Sequence, residues 1–338
     1  MTDKSINVSH VVVHILHKEQ HESPLIELSP TETSVTKSSK RLISDIRSKY
    51  SSRASKGYGS FVGDVDNYPM ESMINDYINN TLDFYKTTCR MMDHLLSRAV
   101  DEPLSTGGYV LFSHVNTDEN EYILVAIVNS RTGSAINASF DIEDSVYLDI
   151  SNLKVAGRID LTSLNNGSDR YISFLKGQSN ISNYFKKFLG CNDVMIAKRE
   201  TEKLSDALKS FADEMKLSKE DRDRFFEKSH EHLKDLNQKQ LPINLESFAN
   251  AVWPDAPEKL IHKLSDENLE ISDGFIPDAA TIKGLVSFKG KTSHWEIKFD
   301  RAGLLDDSIV FNEKRNELIL RNIPESLRLE LIKEVKSD

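Results

Sequence analysis

Pro277-Asp278, followed by Glu296-Ile297-Lys298, spells the pattern of metal-dependent restriction-type nucleases. Two carboxylates in that arrangement hold Mg²⁺ while the lysine helps to activate a water against a phosphodiester. The pattern is short, and WEIKF (295–299) is equally an alternating strand whose Glu296 and Lys298 share one outer face. A nuclease is therefore the minor alternative. His10, His14, His17 and His21 fall at i, i+4, i+7 and i+11, a metal-ligand stripe on a helix. VVVHIL is strand sequence, however, and a strand turns His17 and His21 away from His10 and His14, so half-buried histidines are expected. Cys89 and Cys191 read as inert thiols in a reducing compartment rather than as nucleophiles or a disulfide framework. With no GxSxG, no P-loop and no GxGxxG opening a helix, hydrolase, NTPase and dinucleotide roles lack support. The expectation is a protein that is not an enzyme and uses no cofactor and no metal.

Positive charge offers a different chemistry. The 338-residue chain has a formal net charge of -10, which argues against a surface that is basic all over but permits a local basic face. Between Lys37 and Lys56 stand Lys37, Lys40, Arg41, Arg47, Lys49, Arg53 and Lys56, opposed by Asp45 alone. A second island, SDRYISFLKGQSNISNYFKK (168–187), carries Arg170, Lys176, Lys186 and Lys187 against Asp169, with aromatics threaded between them. Lys and Arg that reach phosphates release counterions and bind a duplex without reading its bases. Acids gather in DIEDSVYLD (141–149) and KEDRDRFFEK (219–228).

The elements that must position these charges follow from periodicity. INVSHVVVHIL (6–16) and PLIEL (24–28) read as strands. A helix follows from SPTETSVTKSSKRLISDIRSKY, capped by Thr31 or Thr33. Its dry stripe is Val35, Leu42, Ile43, Ile46 and Tyr50, with Lys37, Lys40, Arg41, Ser44 and Ser48 opposite. SKGYGSFVG (55–63) reads as a glycine-bearing loop, and 69–98 as helical. GYVLFSHV and EYILVAIV form a hairpin, with further strands expected in INASFDI and VAGRIDL. Ile181, Tyr184, Phe185, Phe188 and Leu189 recur on one helix face closed by Gly190, which makes the aromatics core rather than base-stacking residues and leaves Lys186 and Lys187 off that face. Residues 193–237 are helical, and strands return after Ile271 in GLVSFKG, SHWEIKFD, DSIVFNE and ELILRNI before a last helix, PESLRLELIKEV.

The run YLDISNLKVAGRIDLTSLNNGSDRYISFLKG (147–177), with GGYVLFSHV and EYILVAIVNS before it, resembles the bacterial nucleoid-associated NdpA, or YejK-like, family. KSSKRLISDIRSKYSSRASKGYGSF and FKKFLGC are also similar to members of it. The resemblance implies association with the nucleoid and with double-stranded nucleic acid, and a type II topoisomerase as a protein partner. Its matching positions here are Asp149, Arg158, Asp160, Arg170, Lys176 and Gly177, and it brings no catalytic constellation. Asp149, Arg158 and Asp160 are expected to pair across strands, and Gly177 to end a strand in a conformation other residues avoid.

Together these observations predict an α+β fold. Residues 1–192 form an N-terminal domain with an antiparallel sheet, 193–240 a helical connector and 241–338 a smaller C-terminal α+β domain. The expected function is DNA binding with little sequence preference through Lys37, Lys40, Arg41, Arg47, Lys49, Arg170, Lys176, Lys186 and Lys187, in a cytoplasmic homodimer at the nucleoid. The alternative is a regulator that docks its acidic surface, around Asp141, Glu143 and Asp144, on a topoisomerase. No run approaches the roughly 18 apolar residues of a membrane span.

Overall fold

The computed structural model describes residues 6–102, 106–177, 179–193 and 195–335, with the side chains of 179–182 outside that set. It is an α+β chain of two compact units. The first comprises Met1–Ile196, Asn244–Glu246 and Ile261–Gly274, and the second Ala197–Ile243, Ser247–Leu260 and Phe275–Asp338.

In chain order the first unit contributes β1 (Asn7–His17), β2 (Leu25–Glu27), α1 (Lys37–Ser51), β3 (Lys56–Phe61), α2 (Met70–Ile78), α3 (Phe84–Val100), β4 (Gly108–Asn116) and β5 (Glu121–Val128). Then come β6 (Ser130–Ile136), β7 (Ile142–Leu148), β8 (Val155–Asp160), α4 (Leu161–Asn165), β9 (Ile172–Leu175), α5 (Ser179–Phe188) and β10 (Cys191–Asn192). Eight strands make one antiparallel sheet in the order β10-β3-β9-β8-β5-β4-β1-β2. Alternation along each strand supplies two apolar faces. Val110, Phe112, Ile123, Val125, Ile159 and Ile172 face α2, α3 and α5. Leu111, Val115, Tyr122, Leu124 and Ala156 face the dry stripe of α1, formed by Ile43, Ile46 and Tyr50.

Local sequence explains most of these elements, and three expectations need correction. Thr33 N–H still bonds Val11 C=O at 2.9 Å, so the chain runs extended past Thr31 and Thr33. The cap of α1 is Thr36, in a reciprocal box with Ser39. SKGYGSFVG contains not a loop but a sheet strand, β3. Its glycine serves packing, since a Cβ on Gly57 would lie 2.6 Å from the Phe174 ring of the neighbouring strand. INASFDI is not a strand but the turn that joins β6 to β7 in a separate two-stranded ribbon. The aromatic face of α5 is buried as expected at Tyr184, Phe185 and Phe188, and Gly190, at φ +61, closes that helix.

The second unit holds α6 (Ala197–Glu214), α7 (Lys219–Gln238), most of α8 (Leu245–Val252), half of α9 (Pro257–Leu264), α10 (Ala279–Ile282), β11 (Ser287–Lys291), β12 (Glu296–Asp300), α11 (Ala302–Leu305), β13 (Ile309–Asn312), β14 (Glu317–Leu320) and α12 (Glu325–Val335). Helices α6 and α7 do more than connect. The Phe211 and Phe225 rings pack tilted, 5.7 Å apart, each meeting Trp253 edge-on, in the core of this unit. β11–β12 and β13–β14 are two isolated hairpins.

The histidines of β1 are structural. Ser29 N–H donates to His14 Nδ1 at 3.0 Å, which leaves Nε2 to carry the proton and donate to Thr88 Oγ1 at 3.0 Å. Thr88 passes its own proton to Tyr85 C=O. His14 thus bolts β1 to α3 in its neutral form, and burial pushes its pKa down to about 4. His94 on α3 is likewise lowered to about 4, by burial and then by Arg98. Both folded values lie below the ordinary 6.5, so the unfolded chain binds more protons between them. The stability these histidines confer is complete above pH 6.5 and is lost as pH falls toward 4. Urea titrations should show stability dropping by on the order of 2 kcal/mol per histidine between pH 7 and pH 5, with a shallower drop in His14→Gln.

Candidate nucleic-acid interface

Helix α1 carries the first basic island up to Lys49, and only part of it faces outward. Its apolar stripe is pinned to the sheet, and Lys37, Lys40 and Arg41 are exposed on the other side. Among the described residues none of these three, nor half-buried Lys49, has an ion-pair partner. There is no acid in the first turn. Cations here oppose the positive end of the helix dipole, and an anion relieves that conflict. Arg47 differs from its neighbours. It is half-buried and leans toward Tyr122 and Glu267, whose ionisation its charge favours.

The second island does not form a free basic surface. Arg170 is buried, and its Nη1 donates to Glu270 C=O at 2.9 Å. Lys176 Nζ donates to Asp273 C=O at 2.8 Å and lies 3.5 Å from Asp193, while Lys186 pairs with the same Asp193 at 2.7 Å. Lys187 alone of the four is exposed. Arg170 and Lys176, expected at phosphate, are held by groups about a hundred residues downstream.

Those groups belong to one segment, SDENLEISDG (265–274), which sequence reasoning passed over. Lys56 Nζ donates to Ser51 C=O at 3.0 Å and to Ser265 C=O at 3.2 Å. Glu267 accepts from Ser51 Oγ at 3.0 Å and from Arg158 Nη1. Asp273 N–H donates to Lys56 C=O at 2.8 Å, and its carboxylate accepts from Ser55 Oγ and from Leu245 N–H. Beneath them Arg158 bonds Asp160 at 3.2 Å and stacks 4.8 Å over the Tyr122 ring. Tyr50, at the end of α1, donates to Ser173 Oγ at 2.7 Å. Burial raises the Glu267 carboxyl, but Arg158 and Lys56 outweigh it and hold the group below its ordinary range. Burial lowers Lys56 to about 8 even with Glu267 near. The cluster encloses only about 30 Å³, room for a single water. Its chemistry is that of a latch.

The remaining expected residues also take structural roles. Asp149 does not pair with Arg158: its carboxylate meets Arg131 of β6 at 2.6 Å and Ser151 Oγ at 2.5 Å. Arg158 and Asp160 pair along one strand rather than across two, and Asp160 also caps α4 through Ser163 N–H at 2.8 Å. Gly177 does not adopt a positive φ, so its strand ends without a left-handed residue. In the second unit, Asp278 caps α10 by accepting from Thr281 N–H at 2.8 Å, and Glu296 pairs with Lys289 at 3.0 Å and Lys291 at 3.6 Å. The acids at 141–144 lie on the β6–β7 ribbon beside exposed Phe140, Ile142 and Val146.

The sequence profile of nucleoid-associated protein YejK matches residues 12–328. A nucleoid-associated protein of Pseudomonas putida strain GB-1 is 27% identical over 325 residues, 95% of this chain and 97% of its own. One from Metapseudomonas resinovorans is 28% identical over 336 residues, 96% of this chain and 98% of its own. One from Azotobacter vinelandii is 25% identical over 329 residues, 96% and 97% of the two chains. No helix among the described residues is long and apolar enough to cross a membrane.

The latch geometry predicts a contrast. Glu267→Ala leaves Arg158 buried without its main anion and should cost about 3–5 kcal/mol in a urea unfolding titration, whereas Lys187→Ala should change stability by less than about 0.5 kcal/mol.

Proposed function

The chain belongs to the nucleoid-associated protein YejK family, and from that premise we propose that it binds double-stranded DNA with little sequence preference through the outer face of α1. The observation that carries this reading is the set Lys37, Lys40 and Arg41, exposed at a helix start without acidic partners in a chain of net charge -10. Phosphates supply the missing anions, and the acidic body repels DNA elsewhere and so orients the complex. Half-buried Lys49, on the same helix, extends the contact at its margin, whereas Lys187 stands on α5, across the sheet from α1. In this reading the protein is not an enzyme, resides at the nucleoid and acts as a homodimer, which doubles the basic surface.

A second reading rests on the β6–β7 ribbon. Phe140 is 88% exposed there, and Ile142 and Val146 stand beside Asp141, Glu143 and Asp144. An apolar, acidic ribbon of this kind suits a basic protein partner, and the family resemblance points to a type II topoisomerase. The two readings differ in which charge matters.

Fluorescence anisotropy with a labelled random-sequence duplex at several salt concentrations tests the first. Lys37→Gln, Lys40→Gln and Arg41→Gln together should weaken binding and make the slope of log affinity against log salt shallower by about 2–3. Neutralising Asp141, Glu143 and Asp144 should leave that slope unchanged. Absence of any salt-dependent binding by the unmodified protein would sink direct DNA contact in favour of partner docking.

A further inference from the structure

From Ser287 to Val335 the chain forms four strands and two helices, yet not one side chain in that stretch is buried. The apolar residues concentrate at its end. In the β13–β14 hairpin Val310 pairs with Ile319, and the flanking pairs are Ile309 with Leu320 and Phe311 with Leu318. Alternate pairs point to opposite faces, so both faces of the hairpin are apolar. Phe311, Leu318, Ile319 and Leu320 are 38–56% exposed.

Helix α12 repeats the pattern. Leu327, Leu331 and Val335 follow at i, i+4 and i+8 on one side, Leu329 lies nearly opposite, and Ile332 falls between them. Leu327, Leu329, Leu331 and Val335 are 43–78% exposed. A helix whose apolar positions spread over more than half of its circumference is suited to being covered on more than one side. An isolated two-stranded hairpin is marginal in water, and both of its edges offer unpaired backbone groups.

Charge identifies what covers this surface. Residues 309–335 contain five acidic and five basic side chains, so the segment is neutral within a chain of net charge -10. It offers no field to a strongly basic or acidic partner. Two copies of it meet without repulsion. Eight large side chains at roughly half exposure present several hundred Å² per copy, the order of the ~800 Å² per partner in a standard interface.

We propose that β13–β14 and α12 are the homodimer interface, packing against the same elements of a second copy about a two-fold axis. This rests on the two-fold part of the proposed function and is independent of DNA binding.

Light scattering of the full chain, from about 1 to about 100 µM, is the first test. The unmodified chain should reach twice its 38.4 kDa, and Leu327→Glu with Leu331→Glu should remain at 38.4 kDa across the range with an unchanged circular dichroism spectrum. Hydrogen exchange on the unmodified chain decides the matter if that variant misfolds: amides of 309–335 should gain about tenfold protection at the higher concentration and lose it on dilution. An unmodified chain that stays at 38.4 kDa overturns both the dimer and its interface. A dimer that survives the double substitution, or protection that rises elsewhere, overturns this interface and leaves the dimer standing. The salt-dependent DNA titration, run in parallel, reports on the α1 reading separately.

Discussion

A guanidinium largely withdrawn from water requires an anion at hydrogen-bond distance, and for half-buried Arg158 that anion is Glu267, with Asp160 beside it and the Tyr122 ring beneath. The α1 side of the sheet is organised around this contact. Glu267 also accepts from Ser51 at the end of α1, and Lys56 reaches over the Tyr50 ring to Ser51 and Ser265. One end of α1 is therefore fixed by a polar cluster and its length by Ile43 and Ile46 against the sheet. The opposite face, with Lys40 and Arg41, has no choice but to point outward. A buried ion pair of this type adds little net stability, but it allows one arrangement of helix, strands and loop and penalises the others.

The positive charges divide by location. Lys56, Arg158, Arg170, Lys176 and Lys186 are engaged inside the first unit, while Lys37, Lys40 and Arg41 face solvent. Counting cations along the sequence therefore overstates the surface available to DNA and misplaces half of it. Gly57 shows the same principle for shape, since its lack of a side chain makes room for Phe174 rather than for a turn.

What was legible in the sequence was whatever depends on short-range periodicity. The aromatic face of α5, the two-faced α1 and the β4–β5 hairpin each express spacing of two or of three to four residues, and each forms as that spacing dictates. The roles of Arg158, Arg170 and Lys176 were not legible because their partners lie 97–109 residues away. No local pattern announces Glu267 or Asp273 as buried anions. They stand in a polar run that reads as an ordinary solvent-facing loop, and only the fold brings it under four cations. The cap at Thr36 was missed for a related reason: the preceding residues are claimed by a backbone bond to β1, which competes with helix extension.

The latch also has a temporal consequence. Its cations are all in the chain by Lys176, but its anions do not follow until Glu267, Glu270 and Asp273, with α6 and α7 made in between. A chain emerging from the ribosome can pair the eight strands while Arg158 has Asp160 beside it but not yet Glu267. The segment that completes the cluster is made only after α6 and α7 of the second unit. Completion of the first unit is in this way tied to synthesis of the second, because segment 265–274 follows α6 and α7 in the chain.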